Sequence, residues 1–262
     1  MPFKYNLTIA EEKEIVEMYM NYMSIDNISK KYPMSSSTIG KILKRNGVEM
    51  RKHYRCTFDE HYFDLINTSN KAYLLGFIYA DGCINKNHLL SFTQHEKDIE
   101  ILEYFVRELQ ATNKITQVKG KPHVRLNFCS KHMCDTLRAM GCGGNKTFAL
   151  TFPDIDIQFI YDFIRGFMDG DGCISICSRK NKKYINLSFT GTLDMMITLK
   201  NIFEVDNKIT EYRHAYSLNI GKTQDVKRIL TKIYDNANLY LSRKYNKYME
   251  YLEYEREKDN AT

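Results

Sequence analysis

Residues Phe163 to Ile174 read FIRGFMDGDGCI, and the earlier residues Tyr73 to Ile84 read YLLGFIYADGCI. The two stretches align without a gap at an offset of 90 residues, and each carries a Gly-Phe pair followed by Asp-Gly-Cys-Ile. A long-range repeat of this kind is typical of duplicated structural halves. We therefore predict a chain built from two similar halves around these stretches.

Each stretch is predicted to form a helix that packs against its twin. Small residues lie four positions apart in both, namely Gly76 with Ala80 and Gly166 with Gly170. This spacing puts the small residues on one helix face, where they allow two helix backbones to approach closely. These four residues are the predicted helix interface.

Asp81 and Asp171 lie in the last turns of the predicted helices, just before Gly82 and Gly172, which we expect to end each helix in the left-handed conformation. An exposed carboxylate at a helix C-terminus faces the negative end of the dipole, at a cost of about 0.3–1 kcal/mol. Two neighbouring carboxylates also repel each other. No histidine or thiol is arranged with them to favour a softer metal, so the pocket is predicted to bind a hard divalent ion, Mg²⁺ above all. The chemistry that follows is metal-assisted attack on a phosphate.

Residues 74–82 and 164–172 resemble the two nonapeptide motifs of the LAGLIDADG homing endonucleases. The resemblance covers about residues 55 to 257. It implies paired αββαββα halves, saddle-shaped sheets that lie on DNA, and Mg²⁺-dependent cleavage of both strands across the minor groove. The first motif has Tyr79 where the second has Asp169, but the penultimate acid, which is the metal ligand in the family, is present in both as Asp81 and Asp171.

The expected fold class is α+β, with two pseudo-symmetric αββαββα halves packed through the motif helices and preceded by a small all-α module. The expected domains are a helix-turn-helix module at residues 1–52, a first half at 53–145, and a second half at 146–262 that ends in a C-terminal helix. Residues 51–55 are expected to form a basic linker. Since the connector between the halves is short, one pseudo-symmetric body and a monomer are expected.

The N-terminal module is predicted to contain three short helices, near residues 10–20, from 24 or 25 to 31, and 35–44. A third helix that begins with hydroxyl residues and ends with basic ones is typical of a helix-turn-helix DNA reader. Hydroxyl side chains at its start can contact base edges or phosphates. A helical hairpin that merely packs on the main body is the alternative. The candidate DNA-contacting residues here are Ser36, Ser37, Thr38, Lys41, Lys44 and Arg45.

The predicted strands alternate apolar and polar residues, which places the apolar set in the core and the polar set on the opposite face. Residues 178–183 form a predicted basic hairpin tip beside this polar face, where phosphate contact is expected. The Arg243-Lys244 pair of the C-terminal helix is assigned either to DNA contact or to a solvated face. The candidate DNA-contacting residues of the sheets are Ser91, Thr93, Arg125, Asn127, Arg179, Lys180, Lys182, Lys183, Tyr184, Asn186, Ser188 and Asn219.

Asp81 and Asp171 are the predicted catalytic metal ligands, with Ala80 and Gly170 as further residues of the metal site. The metal is expected to lower the pKa of a bound water, orient it for in-line attack and neutralise the leaving oxygen. Mn²⁺ is expected to substitute for Mg²⁺. The family resemblance adds a supporting basic residue near the fourth strand of each half, for which Lys131 and Lys222 are the nearest candidates.

The composition is compatible with this function. The net charge of +6 suits a polyanionic partner without requiring one. The seven cysteines include no CxxC pair, so we expect reduced thiols, with Cys83 and Cys173 in equivalent packing positions. No apolar run approaches the roughly 20 residues needed to span a bilayer, and Met-Pro-Phe-Lys is not a signal peptide, so a cytoplasmic protein is expected.

The predicted function is therefore site-specific cleavage of double-stranded DNA at a long target, by a protein encoded in a mobile intron or a free-standing mobile gene. Two alternatives stay open. The first is a DNA-binding regulator that has lost cleavage, against which the retention of both acids argues. The second is a maturase that binds intron RNA through the same basic surface.

Overall fold

A computed structural model describes residues 7–21, 23–32, 34–50, 56–143, 150–180 and 182–260. The chain forms two compact units, Met1–Arg55 and Cys56–Thr262. The expected basic linker at residues 51–55 and the expected boundary between the halves after residue 145 lie outside the described residues. Among the helices of the described part, none is both long and apolar enough to cross a membrane.

The N-terminal unit consists of three helices, α1 (Ile9–Met20), α2 (Ile25–Lys31) and α3 (Ser36–Arg45). Each begins at a hydroxyl side chain that accepts a hydrogen bond from the backbone three residues later, because Thr8, Ser24 and Ser35 act as N-caps. The apolar faces of the three helices form a small core of their own, whose buried members are Ile15, Tyr19, Ile28, Ile39, Ile42 and Leu43.

The first half of the larger unit follows the predicted order of helices and strands. Its four strands form one antiparallel sheet in the order β1-β2-β4-β3. The elements are α4 (Ser69–Asp81), β1 (Cys83–Ile84), β2 (Leu89–His95), a 3₁₀ turn (Glu96–Asp98), α5 (Ile99–Glu108), β3 (Thr116–Gln117), β4 (His123–Cys129) and α6 (Lys131–Ala139).

The second half repeats this plan, with its antiparallel sheet in the equivalent order β5-β6-β8-β7. One long helix follows at the C-terminal end. The elements are a 3₁₀ turn (Ile157–Phe159), α7 (Ile160–Asp171), β5 (Gly172–Arg179), β6 (Lys182–Gly191), α8 (Leu193–Phe203), β7 (Ile209–Tyr212), β8 (Ala215–Ile220), α9 (Thr223–Tyr234) and α10 (Ser242–Asn260). The predicted α+β class with two αββαββα halves is confirmed.

Each sheet has one apolar and one polar face, as the period of two predicts. In the first half Phe92 and Leu126 are fully buried partners, whereas Thr93 and Arg125, the next pair along, are exposed. The apolar faces, the motif helices and the covering helices share one continuous hydrophobic core. The two polar faces are thereby left for a partner.

The motif helices α4 and α7 pack directly against each other and run in parallel. A Cβ placed on Gly76 would lie 2.0 Å from the carbonyl oxygen of Phe163, and one on Gly166 would lie 1.9 Å from that of Tyr73. Further along, a Cβ on Gly170 would lie 2.2 Å from the Cβ of Ala80. Only residues without a side chain permit contacts this close, so the small residues set the helix spacing, and parallel packing brings both helix C-termini together.

The prediction that Gly82 and Gly172 adopt the left-handed conformation is wrong. Their φ and ψ angles are −70° and 138° for Gly82, and −101° and 166° for Gly172, which is ordinary extended backbone. Each chain passes directly from helix to strand, and crowding excludes a side chain there. A Cβ on Gly82 would lie 2.8 Å from the carbonyl oxygen of Ile78, and one on Gly172 would lie 2.7 Å from that of Met168.

Candidate active site and nucleic-acid surface

The two motif aspartates lie side by side at the paired C-termini of α4 and α7. Both Asp81 and Asp171 are exposed, and a Cβ on Gly170 would lie 3.4 Å from Oδ2 of Asp81. The Asp81 carboxylate of α4 therefore reaches the end of α7. The negative ends of two helix dipoles point at the same place, and the donor set consists of oxygen atoms. This arrangement fits a hard divalent cation, for which Asp81 and Asp171 are the ligands that the chain offers.

Sequence reasoning missed Gln94, which supports Asp81. The side-chain Nε2 of Gln94 donates a hydrogen bond of 3.0 Å to Oδ2 of Asp81. Gln94 lies on the same face of β2 as the buried Leu90 and Phe92. A polar amide at a position where the alternation predicts an apolar residue could have identified Gln94 from the sequence. A carboxylate held by an amide keeps its charge and gains a fixed orientation.

Sequence reasoning also missed Lys244, which lies in the first turn of α10 and is only 3% exposed. Its Nζ donates to the carbonyl oxygens of Met168 at 2.5 Å, Asp169 at 2.8 Å and Gly172 at 2.6 Å. Neither DNA contact nor a solvated face, the two alternatives for this residue, fits a side chain so deeply buried. A cation at the C-terminus of α7 is favoured by the helix dipole. The signal was its position in the buried stripe that continues through Tyr248 and Tyr251.

A buried carboxylate lies beneath the same helix end. Asp169 is 2% exposed, and its Oδ2 accepts hydrogen bonds from the Tyr73 hydroxyl at 2.9 Å and the Leu241 backbone N–H at 2.8 Å. Burial raises the pKa of Asp169 to about 6, against the opposing effects of Lys244 and these hydrogen bonds. Burial lowers the pKa of Lys244, and the charge of Asp169 opposes that shift. Lys244 and Asp169 thus place opposite charges in the interior near the end of α7, and Lys244 bonds the backbone carbonyl of Asp169 rather than its carboxylate.

Comparison with known proteins agrees with this geometry. Residues 164–254 match the family model described as LAGLIDADG endonuclease. The matched residues contain the second motif helix, the second sheet and most of the C-terminal helix, so the second half of the chain is similar to LAGLIDADG endonucleases. No curated protein matches the chain.

Solved meganuclease structures have a fold similar to that of this chain. The LAGLIDADG meganuclease I-AabMI, in a crystal structure bound to uncleaved DNA, superposes with a TM-score of 0.51 at 16% identity, covering 67% of this chain and 87% of that one. The meganuclease I-SmaMI, bound to uncleavable DNA with a TTCT central four, gives a TM-score of 0.51 at 12% identity, covering 69% and 88%. At these identities the likeness concerns the fold alone.

Lys131 and Lys222 do not lie near the motif aspartates Asp81 and Asp171. Gln94, beside Asp81, is paired with Val124, whereas Lys131 follows Cys129 at the other end of that strand. Five residues of strand separate these levels by roughly 16 Å. Lys131 instead bonds Asp135 at 2.6 Å, and Lys222, likewise beyond the far end of β8, lies 3.6 Å from Asp225. Strand register therefore argues against a supporting catalytic role for these two lysines.

The polar strand residues predicted to contact DNA lie on the polar faces of the two antiparallel sheets. Ser91 pairs with Asn127 and Thr93 with Arg125 in the first sheet, and Ser188 pairs with Asn219 in the second. Asn186 shares the face of Ser188, and Tyr184 is 40% exposed. The basic tip residues Arg179, Lys180 and Lys182 are exposed.

Two expectations about this face need correction. Cys83 and Cys173 are exposed beside Ser91 and Ser188, so the packing role expected for them is wrong. Lys183, a predicted DNA contact, is turned toward α10. Its Nζ lies 3.3 Å from Oε1 of Glu250 and 5.4 Å from the centre of the Tyr254 ring. Any phosphate contact by Lys183 competes with these partners.

The predicted recognition residues of the N-terminal unit fall into two groups. Ser36 donates a hydrogen bond of 2.8 Å to Asp26, Thr38 bonds the cap residue Ser35, and Arg45 forms an ion pair with Glu12. These contacts hold the three helices together. Ser37, Lys41 and Lys44 are exposed at helical spacing and thus share one face of α3.

Proposed function

We propose that the protein is a site-specific DNA endonuclease that hydrolyses one phosphodiester bond in each strand of a long double-stranded target. The observation that carries the proposal is the parallel packing of α4 and α7, which sets Asp81 and Asp171 together between two polar sheet faces. A site of this kind needs a cation before it can approach phosphates. The family match supports the same class of activity.

Mg²⁺ is the proposed cofactor, with Mn²⁺ as a substitute, because both ions accept carboxylate oxygens and water. When bound, the ion supplies Lewis acidity and an acidified water for in-line attack. Asp81 and Asp171 would hold it, with Ala80 and Gly170 forming the floor between them. Gln94 orients the Asp81 carboxylate, and Lys244 offsets the negative end of α7 next to Asp171. No side-chain nucleophile is needed.

Double-stranded DNA is the proposed partner, lying across the polar faces of both sheets. I-AabMI and I-SmaMI, which share the fold, have been crystallised with DNA. The exposed basic tip would contact phosphates, and the strand residues would contact bases. The N-terminal unit, as a helix-turn-helix, would add a second contact through Ser37, Lys41 and Lys44 and raise the effective concentration at the target. Because one chain holds both aspartates, a monomer would suffice, as a product of a mobile intron or free-standing mobile gene.

The test is cleavage of a random-site plasmid library by the full chain in Mg²⁺, with Asp81→Asn and Asp171→Asn alongside. Discrete double-strand breaks are expected for the wild type, and each variant should lower the rate at least about 100-fold while still binding DNA. Asp206→Asn is the matched control, since Asp206 is an exposed acid outside the motif pair. Tight DNA binding without cutting in Mg²⁺ or Mn²⁺ would instead indicate a regulator, and tighter binding of intron RNA a maturase.

A further inference from the structure

Two histidines and an aspartate from distant parts of the sequence meet on the surface of the first half. His61 Nδ1 lies 2.8 Å from Oδ2 of Asp64, and His132 Nε2 lies 2.6 Å from Oδ1 of the same carboxylate. One ligand atom from each residue can be chosen so that all three lie within 4.8 Å of one another. Among the described residues, no other group of three or more histidine, cysteine or acidic side chains meets this distance.

The backbone that carries these side chains is fixed by the core. His61 and Asp64 flank Tyr62 and Phe63, which are 7% and 0% exposed and anchor the turn. The Asp64 backbone N–H also donates to the carbonyl oxygen of His61 at 3.0 Å. Binding a ligand here therefore requires little ordering of the turn, which favours affinity.

The third side chain is equally well placed. His132 lies in the first turn of α6, whose N-cap Ser130 accepts a hydrogen bond from Met133 and donates one of 2.5 Å to Glu60. The rings of His61 and His132 have centroids 4.3 Å apart. Small side-chain rotations would let both imidazoles and the carboxylate converge on one point about 2 Å from each ligand atom.

We propose that His61, Asp64 and His132 bind a transition-metal ion, Zn²⁺ in the first place. Imidazole with one carboxylate suits Zn²⁺ and related ions far better than Mg²⁺, which prefers oxygen ligands. Three protein ligands leave a fourth position for water. All three side chains are exposed, so an ion can reach them from solvent, and Asp64 also lines an open cleft of about 510 Å³.

This site is separate from the motif carboxylates. His132 lies beyond Cys129, which pairs with Leu89, whereas Asp81 is bonded to Gln94 near the other end of that strand. Zn²⁺ at the triad would therefore join the turn at residues 59–64 to α6 without touching the proposed reaction centre. Its role would be to fasten the segment before the first motif helix onto the sheet.

The proton balance of binding is simple. As the side chains stand, an ionised Asp64 accepts a hydrogen from each ring, so His61 Nδ1 and His132 Nε2 act as donors. On metal binding each of these nitrogens supplies its lone pair instead, and its hydrogen moves to the other ring nitrogen or is released to solvent. Affinity should consequently increase with pH, because protons compete with the metal for the same lone pairs.

The test is Zn²⁺ binding to the chelator-treated full chain, followed by isothermal titration calorimetry and by the Zn²⁺-dependent rise in the thermal midpoint. One tightly bound ion is expected, and His132→Asn and Asp64→Asn should each weaken it at least about tenfold. His88→Asn is the matched control. His88 is a histidine beside α6 whose Nδ1 lies 3.6 Å from Asp135, but Arg138, bonded to it at 3.2 Å, adds a repelling charge.

A wild-type chain without a tight Zn²⁺ site would overturn the proposal, and so would unchanged affinity in the two triad variants or an equal loss in His88→Asn. Circular dichroism of each variant identifies any that unfolds, and His61→Gln then replaces it. Co²⁺ adds a spectroscopic check, because nitrogen ligands give it a visible absorption band that must be lost in the triad variants. Asp81→Asn must leave Zn²⁺ binding unchanged, which separates this site from the proposed reaction centre.

Discussion

The two halves share a strand order and a motif helix, yet they support the ends of those helices differently. In the first half, Gln94 bonds Asp81, and Tyr79 packs in the core with its hydroxyl donating to the Met140 carbonyl. In the second half, Lys244 donates to three carbonyl oxygens at the end of α7, and the buried Asp169 carboxylate accepts from Tyr73 and Leu241. The duplication has kept the exposed acids and the small-residue face, while the groups behind each acid have diverged.

Helix α10 accounts for much of this difference. Its first turn also reaches the first half, where Ser242 bonds both carboxylate oxygens of Glu100 at 2.8 and 2.6 Å, and Arg243 bonds Asp98 at 2.8 and 3.1 Å. Lys244, the next residue, bonds the end of α7. Three consecutive residues thus tie the second motif helix to the first half, so the end of α7 depends on charges that the end of α4 does not use.

The largest expected effect comes from Lys244→Met. The substitution leaves the carbonyl oxygens of Met168, Asp169 and Gly172 without this donor and removes a charge that favours the ionised Asp169, so a cost of about 3–5 kcal/mol is expected. Chemical denaturation of the full chain measures the loss of unfolding free energy. Lys247→Met is the control, because Lys247 is an exposed lysine one turn along that makes a single 3.3 Å bond to Ile174. Equal effects of both substitutions would contradict the role assigned to burial.

The buried carboxyl group of Asp169 should make the unfolding free energy depend on pH. Since burial raises the pKa of Asp169 from 3.8 to about 6, the folded protein holds a proton that the unfolded chain releases between about pH 4 and pH 6. The unfolding free energy of the wild type, relative to Asp169→Asn, should therefore fall as pH rises through this window and level off above it. The total fall is up to about 3 kcal/mol.

Denaturation curves of both proteins at half-unit pH steps measure this difference. A flat difference would mean that Asp169 ionises as readily in the folded protein as in the unfolded chain, so that Lys244 and the hydrogen bonds cancel the cost of burial. Tyr79 provides no such pH dependence at the equivalent position of the first half, because burial raises the pKa of its hydroxyl further from neutrality.

The sequence was sufficient for the fold because its signals are local or repeated. The small-residue spacing predicts the α4–α7 contact, and the period of two predicts the sheet faces. Two features could not be predicted from the sequence. A glycine at position 172 is compatible with a left-handed φ angle and also with a position too crowded for a side chain. The close approach of Met168 decides between the two, and the sequence does not give that distance. Helical spacing with Tyr248 and Tyr251 puts Lys244 on the buried face, but its partner Met168 lies 76 residues earlier, and no short spacing encodes that contact.

A Gln94→Ala variant tests whether the different support of Asp81 and Asp171 affects catalysis. Leu90 and Leu187 occupy equivalent positions opposite the isoleucines that end the two repeats, so the residue equivalent to Gln94 is Gly191. Gln94→Ala should slow cleavage of one strand about 10- to 100-fold, because a hydrogen bond to a charged group contributes about 1.5–3 kcal/mol. The other strand should be cut at close to the wild-type rate.

Supercoiled plasmid carrying one target site provides the measurement, since a nicked intermediate must accumulate with Gln94→Ala. Gln117→Ala is the control, because that amide lies on the same sheet and its partners are the Lys121 carbonyl at 2.9 Å and Glu96 at 3.5 Å. If both strands slow equally, the acids act as one unit, and the difference between the halves has no consequence for catalysis.

Lys131→Ala and Lys222→Ala should have the smallest effects, less than about twofold on the cleavage rate at saturating DNA. The side chains are 76% and 68% exposed, lie beyond the strand ends remote from the acids, and pair with Asp135 and Asp225. Exposed pairs of this kind contribute about 0–1 kcal/mol. Single-turnover cleavage compares each variant with the wild type. A loss of tenfold or more in the cleavage rate would mean that the reaction needs a positive charge at the far end of each sheet. The two halves would then use equivalent lysines, although the residues buried behind their aspartates differ.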